Sequence, residues 1–534
     1  MLCWRSVSIS TVGLVLYGIV IGGCARPAQG PSAELASRSQ PAASIRLLVT
    51  GDVAGTIEPC GCVKDQLGGL DRFASAVHSS RHPDSTLFLE AGALLFPRSS
   101  DEPNERDELL LRAETLAQVM RSLGLLAWTP GKADCALGTP TLLELTSQLG
   151  ARPLQSCEDP TIKQDNSLVT EVAGIKVGLF GLGSTWTQAS TSADDLEAKL
   201  RTASNALESK GVHLKIAVLN AAPEQAAKLA RRLPSFQLLL VGGSSERSLG
   251  ADSDGTEPQL VGSTLVIEPP NHLRGLVVVD FVVVDGKFTS QDGTGIGRNA
   301  ERVEVAHRVE ELKERLVLWR TQKQDSSLMA SREADLKRLQ IRYKELEGPA
   351  KTPSASYFKV QTIPIGNEVL GDPDVKKTLD ELGSKINRNN YDKFANRKAP
   401  PAAPGQATFV GVTTCKTCHQ KESKFWQTTR HAGAYRTLVD KERQYTLECV
   451  GCHVTGYEQP GGSNVTDVAE LKDVQCETCH GPGSIHSKTT ASDAITRIPA
   501  RQLCASRCHH SPHVAPTWTV DEAWPKIIGE GHGR

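Results

Sequence analysis

Three pentapeptides, Cys415–His419, Cys449–His453 and Cys476–His480, share the form Cys-x-x-Cys-His. Eight of the fourteen cysteines fall between Cys415 and Cys508, and nine of the fourteen histidines lie from His419 onward. This pattern is the attachment site of c-type haem. Two thiols one helical turn apart can add to the two vinyl groups of a porphyrin, and the next histidine then faces the iron. Paired Cys-x-x-Cys units also hold zinc, but zinc does not require a histidine directly after every pair, and disulfides within the pairs leave the histidines unexplained. A fourth segment, Cys504-Ala505-Ser506-Arg507-Cys508-His509, places three residues between its cysteines. It reads as an expanded haem motif, with a disulfide or a single thioether as the alternative. Four covalent haem c groups are therefore expected, on Cys415 and Cys418, Cys449 and Cys452, Cys476 and Cys479, and Cys504 and Cys508, with His419, His453, His480 and His509 as proximal ligands.

His431, His486, His510, His513 and His532 remain as candidates for the sixth ligands. Methionine is almost excluded, since the chain holds only Met1, Met120 and Met329. Five histidines for four irons point to bis-histidine haems that carry electrons rather than bind a substrate. The alternative is a haem-dependent oxidoreductase with one open iron.

The N-terminus suggests export. Arg5 precedes an apolar run from Val12 to Ile21, which closes in Ile21-Gly22-Gly23-Cys24. The run is short for a membrane span, which needs about 20 apolar residues, and resembles a lipoprotein signal peptide over 1–23. Cleavage before Cys24 and acylation of that cysteine would anchor the chain in the cell envelope. Ala25 in place of a retaining aspartate favours the outer membrane. Residues 24–43, rich in Pro, Ser, Ala and Gly, read as a flexible tether. A net charge of −1 gives no reason to expect a nucleic-acid partner.

Composition divides the rest. Over 44–298, short apolar runs at Ile45–Thr50, Thr86–Glu90, Lys176–Gly181, Lys215–Leu219, Leu238–Val241 and Leu276–Val284 read as strands. They alternate with amphipathic stretches such as Arg106–Leu123 and Ala193–Ser209, which predicts an α/β domain. Residues 299–348 are charged and carry apolar side chains at helical spacing, with a polar break at Asp325-Ser326-Ser327. A helical hairpin is expected, one long helix being the alternative. Residues 349–406 read as a connecting segment ending in a Pro-rich linker, and 407–534 as a mainly α, loop-rich multihaem domain.

The run Phe409-Val410-Gly411, Cys415–His419, Glu422, Trp426 and His431-Ala432-Gly433-Ala434 resembles the tetrahaem cytochromes that accept electrons from hydroxylamine oxidation. Cys476–His486 is similar to that family's third site, and Trp524–His532 to its terminal ligand segment. The resemblance implies His431, His486 and His532 as distal ligands and redox proteins as partners. For the remaining iron it leaves His510 or His513, of which His510 adjoins the proximal His509, so His513 is preferred.

Upstream, Gly51-Asp52-Val53-Ala54-Gly55, Glu58-Pro59-Cys60-Gly61-Cys62 and Gln66–Arg72 resemble the start of a metallophosphoesterase of the bacterial 5'-nucleotidase kind. That implies a four-layer sandwich. The family's metal ligands are largely replaced. Ala54 stands for the first histidine, Lys132 and Ala133 for an Asn-His pair, Ala93 for a bridging aspartate, Asn220 for a histidine, and Ser244 in Val241–Ser245 for another. A two-metal hydrolase needs ligands converging on ions about 3.5–4 Å apart, so a non-catalytic domain is expected, with an active nucleotidase or UDP-sugar hydrolase as the alternative. Cys60, Cys62, Cys135 and Cys157 read as disulfides or a second metal or redox site.

Overall fold

The computed structural model describes residues 43–59, 66–97, 103–155, 166–183, 193–233, 235–243, 252–284, 288, 291–322, 325–348, 353–510, 514, 518–529 and 532. The described residues all belong to one unit, 41–534. The expected signal peptide, Cys24 and most of the expected tether lie outside the described residues. Among those described, no helix is long and apolar enough to cross a membrane.

The front of the chain forms two sheets. Strands β1 (Ala43–Gly51), β2 (Thr86–Ala91), β3 (Ala127–Thr129) and β4 (Arg152–Pro153) run parallel and side by side. The second sheet holds β5 (Ser167–Val172), β6 (Ile175–Leu182), β7 (Leu214–Asn220), β8 (Leu238–Gly242), β9 (Gln259–Val261) and β10 (Thr264–Ile267), in the order β5-β6-β7-β8-β10-β9. Three later strands, β11 (Gly275–Val283), β12 (Gln291–Asp292) and β13 (Tyr357–Pro364), return to the first sheet, which reads β12-β13-β11-β1-β2-β3-β4.

The central strands are continuous apolar runs because both of their faces are buried. In β1, Ile45, Leu47 and Val49 point into the layer between the sheets, while Leu48 points into the outer layer. That outer layer is closed by helices α1 (Leu70–Ser80), α2 (Pro103–Ser122) and α3 (Thr139–Leu149). The opposite face is covered by α4 (Ala193–Ser209) and α5 (Pro223–Arg232). The result is a helix, sheet, sheet, helix sandwich.

Helices α6 (Ile296–Thr321) and α7 (Ser326–Glu347) form the hairpin, packed through Val305, Val309 and Leu346. The break falls where Asp325 caps α7, its carboxylate accepting from the amides of Ser327 and Leu328 at 2.9 and 3.1 Å.

The stretch expected to connect, 349–406, is mostly part of the front domain. Strand β13 pairs antiparallel with β11 from Gly275↔Pro364 to Val282↔Tyr357. Helix α8 (Pro373–Phe394), capped by Asp372, then adds Val375, Leu379, Leu382 and Ile386 to the outer apolar layer. The hairpin is thus an insertion ahead of the sandwich's last pieces. Beyond α8, the Pro-rich stretch is fastened to the C-terminal part: Pro400 accepts from the Gly461 amide at 2.8 Å, and Lys398 pairs with Asp467 at 2.9 Å.

Residues 407–534 form short helices joined by loops, among them 412–415, 420–426, 434–439, 447–453, 476–480, 484–489 and 503–507. Their apolar cluster is small: Tyr435, Val450, Val454, Val465 and Val468, with Phe394 of α8. A core of that size calls for another stabilising element, such as bound metal groups or cross-links.

Candidate functional site

Each Cys-x-x-Cys-His segment sits on a helical turn, which sets its two thiols on one face. In the first, the amides of Cys418 and His419 donate to the Cys415 carbonyl at 3.2 and 2.9 Å. In the fourth, Cys504 and Cys508 are joined by an i to i+4 bond of 3.2 Å, and the His509 amide donates to Cys504 at 2.8 Å. Residues four apart on a helix share a face as well as residues three apart, so the extra residue keeps both thiols on one side. The motifs also meet one another. The Cys452 thiol of the second donates to the Arg507 carbonyl of the fourth at 3.6 Å, and Thr478 of the third hydrogen-bonds Thr455, just after the second, at 3.0 Å.

The imidazoles are arranged in facing pairs. His419 and His486 have ring centroids 6.3 Å apart at 28°, and His431 and His509 have theirs 6.1 Å apart at 50°. Two imidazole–metal bonds of about 2.0 Å each, lengthened by the two rings, span a gap of this size. Each pair joins one motif histidine to one outside any motif. His532 stands edge-on to Phe425 with ring centroids 6.4 Å apart, and its Nδ1 is buried without a hydrogen-bond partner.

Nitrogen chemistry fits ligation too. Nδ1 faces the carbonyl of Ala434 at 2.5 Å in His453, of Thr496 at 2.7 Å in His480, and of Ala491 at 2.9 Å in His486. A ring that donates from Nδ1 presents Nε2 as a free base, the usual setting of a metal-bound histidine. Burial holds His431, His453, His509 and His532 below the ordinary imidazole range, and so neutral. The residues present therefore fit haem c.

One buried carboxylate ties the first and third motifs together. Glu477, within Cys476–His480, accepts from the amides of Val410, Gly411 and Gly483 at 2.7 to 3.1 Å. Gln475 adds a bond from the Val412 amide at 2.6 Å.

The front domain has a second cluster, at the C-terminal ends of β1, β2 and β7. Asp52 and Ala54 hold left-handed backbone, φ 44° and 49°, a conformation that costs on the order of 1–3 kcal/mol and collects at functional sites. Yet the carboxylates are engaged by backbone. Asp52 accepts from the amides of Ala93 and Gly243 at 2.9 to 3.1 Å, and Asp134 from those of Gly131, Leu94 and Leu95 at 2.7 to 3.1 Å. Only glycine fits at 92, where a Cβ would lie 2.1 Å from Asp52 Oδ1. Asn220 donates to the Pro130 carbonyl at 2.9 Å. Among the described residues, no three carboxylate, imidazole or thiol groups converge to hold a metal ion. Ser244, Cys60, Cys62 and Cys157 lie outside the described residues. Cys135 is disulfide-bonded.

Residues 414–481 match the family model described as cytochrome c554 and c-prime. The C-terminal part of the chain is cytochrome c554-like. Cytochrome c-554 of Nitrosomonas europaea is 37% identical over 93 residues, which cover 14% of this chain and 40% of that protein. The chain thus spans less than half the length of the curated relative it matches. Among solved structures, a 5'-nucleotidase precursor from Thermus thermophilus is 16% identical, with a TM-score of 0.43 over 67% of this chain and 61% of that one. A calcineurin-like phosphoesterase from Bacillus subtilis is 13% identical, with a TM-score of 0.38 over 65% and 98%.

The matched stretch contains the three segments Cys415–His419, Cys449–His453 and Cys476–His480. Within the cytochrome c554-like part, the structure brings His419, His431, His486 and His509 into facing pairs and sets His532 edge-on to Phe425. His513 lies outside the described residues. Sequence reasoning missed Glu477, whose place inside a haem motif was the available signal. It also missed a front-domain group in which His272 and Arg274 both contact Asp252, at 3.1 and 2.9 Å.

Proposed function

We propose that the chain is an exported, lipid-anchored tetrahaem cytochrome that carries electrons, held on a phosphoesterase-like domain that no longer hydrolyses. The observation that carries this reading is the pairing of a motif histidine with a non-motif histidine at iron-spanning distance, His419 with His486 and His431 with His509. In this reading His486 serves the iron of the first motif, His431 that of the fourth, His532 that of the third, and His513 that of the second. Haem supplies reversible one-electron chemistry at the iron. The chain's own part is to fix the imidazoles as neutral bases, through the carbonyls of Ala434, Thr496 and Ala491 and through burial, and to hold the motifs in contact through Glu477.

The front domain is read as a docking or binding platform, because Asp52 and Asp134 are spent on backbone amides. The apolar run ending at Cys24 supports an envelope location with the lipid on that cysteine.

Two measurements test the proposal on protein exported with the cytochrome maturation machinery. Denaturing mass spectrometry should show four covalent haems per chain; three would remove the Cys504–His509 site. Electron paramagnetic resonance of the oxidised protein should show low-spin irons. A strong high-spin signal would favour a haem enzyme with an open iron.

A further inference from the structure

We propose that Glu108 and Arg112, both on α2 of the front domain, set the redox potential of the haem attached at Cys449 and Cys452. The inference rests on the cytochrome reading above and assigns the front domain a part in it.

The cytochrome c554-like part does not hang from a linker at this point. Helix α2 lies against the helix Leu447–His453 that carries the second motif. Glu108, 5% exposed, accepts from the Leu447 amide at 3.1 Å, at the first turn of that helix. Its second partner is the side-chain amide of Asn390 on α8 at 2.7 Å, which also donates to the Tyr445 carbonyl at 2.8 Å. Arg112, one turn further along α2, bridges Glu108 at 3.4 Å and Glu448 at 3.0 Å, and Glu448 precedes the attachment cysteine. The guanidinium is close enough for its charge to be felt at Cys449. Arg443, which pairs with Glu58 at 2.6 Å, closes the group.

Arg112, Glu108 and Arg443 are the buried members of the group, while Glu448 and Glu58 stand about half exposed. Buried charge costs several kcal/mol per ion unless it is well paired, and an apolar contact would have held the two parts together more cheaply. What a buried charge provides is a strong field, since screening by water is small there. Environment is one of the levers by which a protein sets a haem's potential. A cation beside the haem favours the reduced iron, and a carboxylate favours the oxidised one. Glu58, Glu108 and Glu448 offset Arg112 and Arg443, so the group carries a net charge of one carboxylate. Removing Arg112 makes it more negative, and neutralising Glu108 makes it neutral.

The test uses the full chain loaded with haem. Haem content is counted first by denaturing mass spectrometry, and each variant is then titrated by spectroelectrochemistry. In Arg112→Gln one reduction step should move to lower potential while the others hold. In Glu108→Gln, which can still accept from Leu447, a step should move to higher potential. Arg112→Lys should restore the wild-type curve. Shifts of opposite sign separate field from fold, because loosened packing would move both variants the same way. Same-direction shifts, no shift at full haem content, or loss of one haem from both variants would overturn the inference. A wild-type chain lacking the haem at Cys449 and Cys452 would instead remove the reading on which it rests, and the haem count reports that separately.

Discussion

His431 and His509 face one another with ring centroids 6.1 Å apart, and the indole of Trp518 lies 5° from parallel to His509 at 4.9 Å on that same ring. The pair is therefore held from outside as well as from within. His431→Ala should leave all thioethers intact and open the iron of the fourth motif. Electron paramagnetic resonance should then gain one high-spin signal, and that haem's potential should rise as a basic ligand is lost. An unchanged spectrum would overturn the assignment.

Glu477 is almost fully buried and accepts from three amides on two segments. Hydrogen bonds to a charged group contribute about 1.5–3 kcal/mol each, and buried donors left without a partner cost more. Glu477→Ala should destabilise the cytochrome c554-like part by about 3 kcal/mol or more, read as an earlier midpoint in denaturant titrations followed by haem absorbance. A midpoint within error of the wild type would rule out this role.

The cytochrome c554-like segment was legible because thiol spacing is local chemistry, and the central strands because burial on both faces leaves continuous apolar runs. Which histidines face each other was not legible from spacing alone, since His431 and His509 meet only through the tertiary fold. Strand β13 escaped because an inserted hairpin separates it from β11, its partner. Glu108 and Arg112 read as the polar face of an amphipathic helix, and only the packing of α2 on residues 447–453 reveals that this face is buried.

Glu90 lies between Thr50 and Trp128 in the strand register, and all three side chains are fully buried. Burial, then repulsion by Asp134 and Asp52, holds its carboxyl well above the ordinary range, and burial raises Asp134 to about 7. An acid whose pKa is higher in the folded state takes up protons on folding. Stability from these two groups is therefore full below the unfolded pKa of about 4 and falls as pH rises toward the folded values. Glu90→Gln should raise the melting temperature at pH 8, where burying the carboxylate requires a proton, and leave it nearly unchanged at pH 4, with a gain of about 1.4 kcal/mol for each pH unit over which that proton uptake is removed. An equal shift at both pH values would contradict the protonation argument.

With Asp52 and Asp134 committed to amides, the front domain should show no manganese-stimulated hydrolysis of nucleotides or UDP-sugars. The assay compares the full chain with its Asp52→Ala variant. Turnover present in the first and lost in the second would restore the hydrolase reading.

The first sheet begins at Ala43 and is not complete until Pro364, because β13 borders β11 only after the whole hairpin has been made. In a chain made from its N-terminus, α8 follows next and finishes the face on which the second haem motif rests, ahead of Cys415, the first haem-motif cysteine. Domains made early generally fold first. The sandwich thus acts as a jig, ready before the thiols arrive, and the order of the sequence is also an assembly schedule.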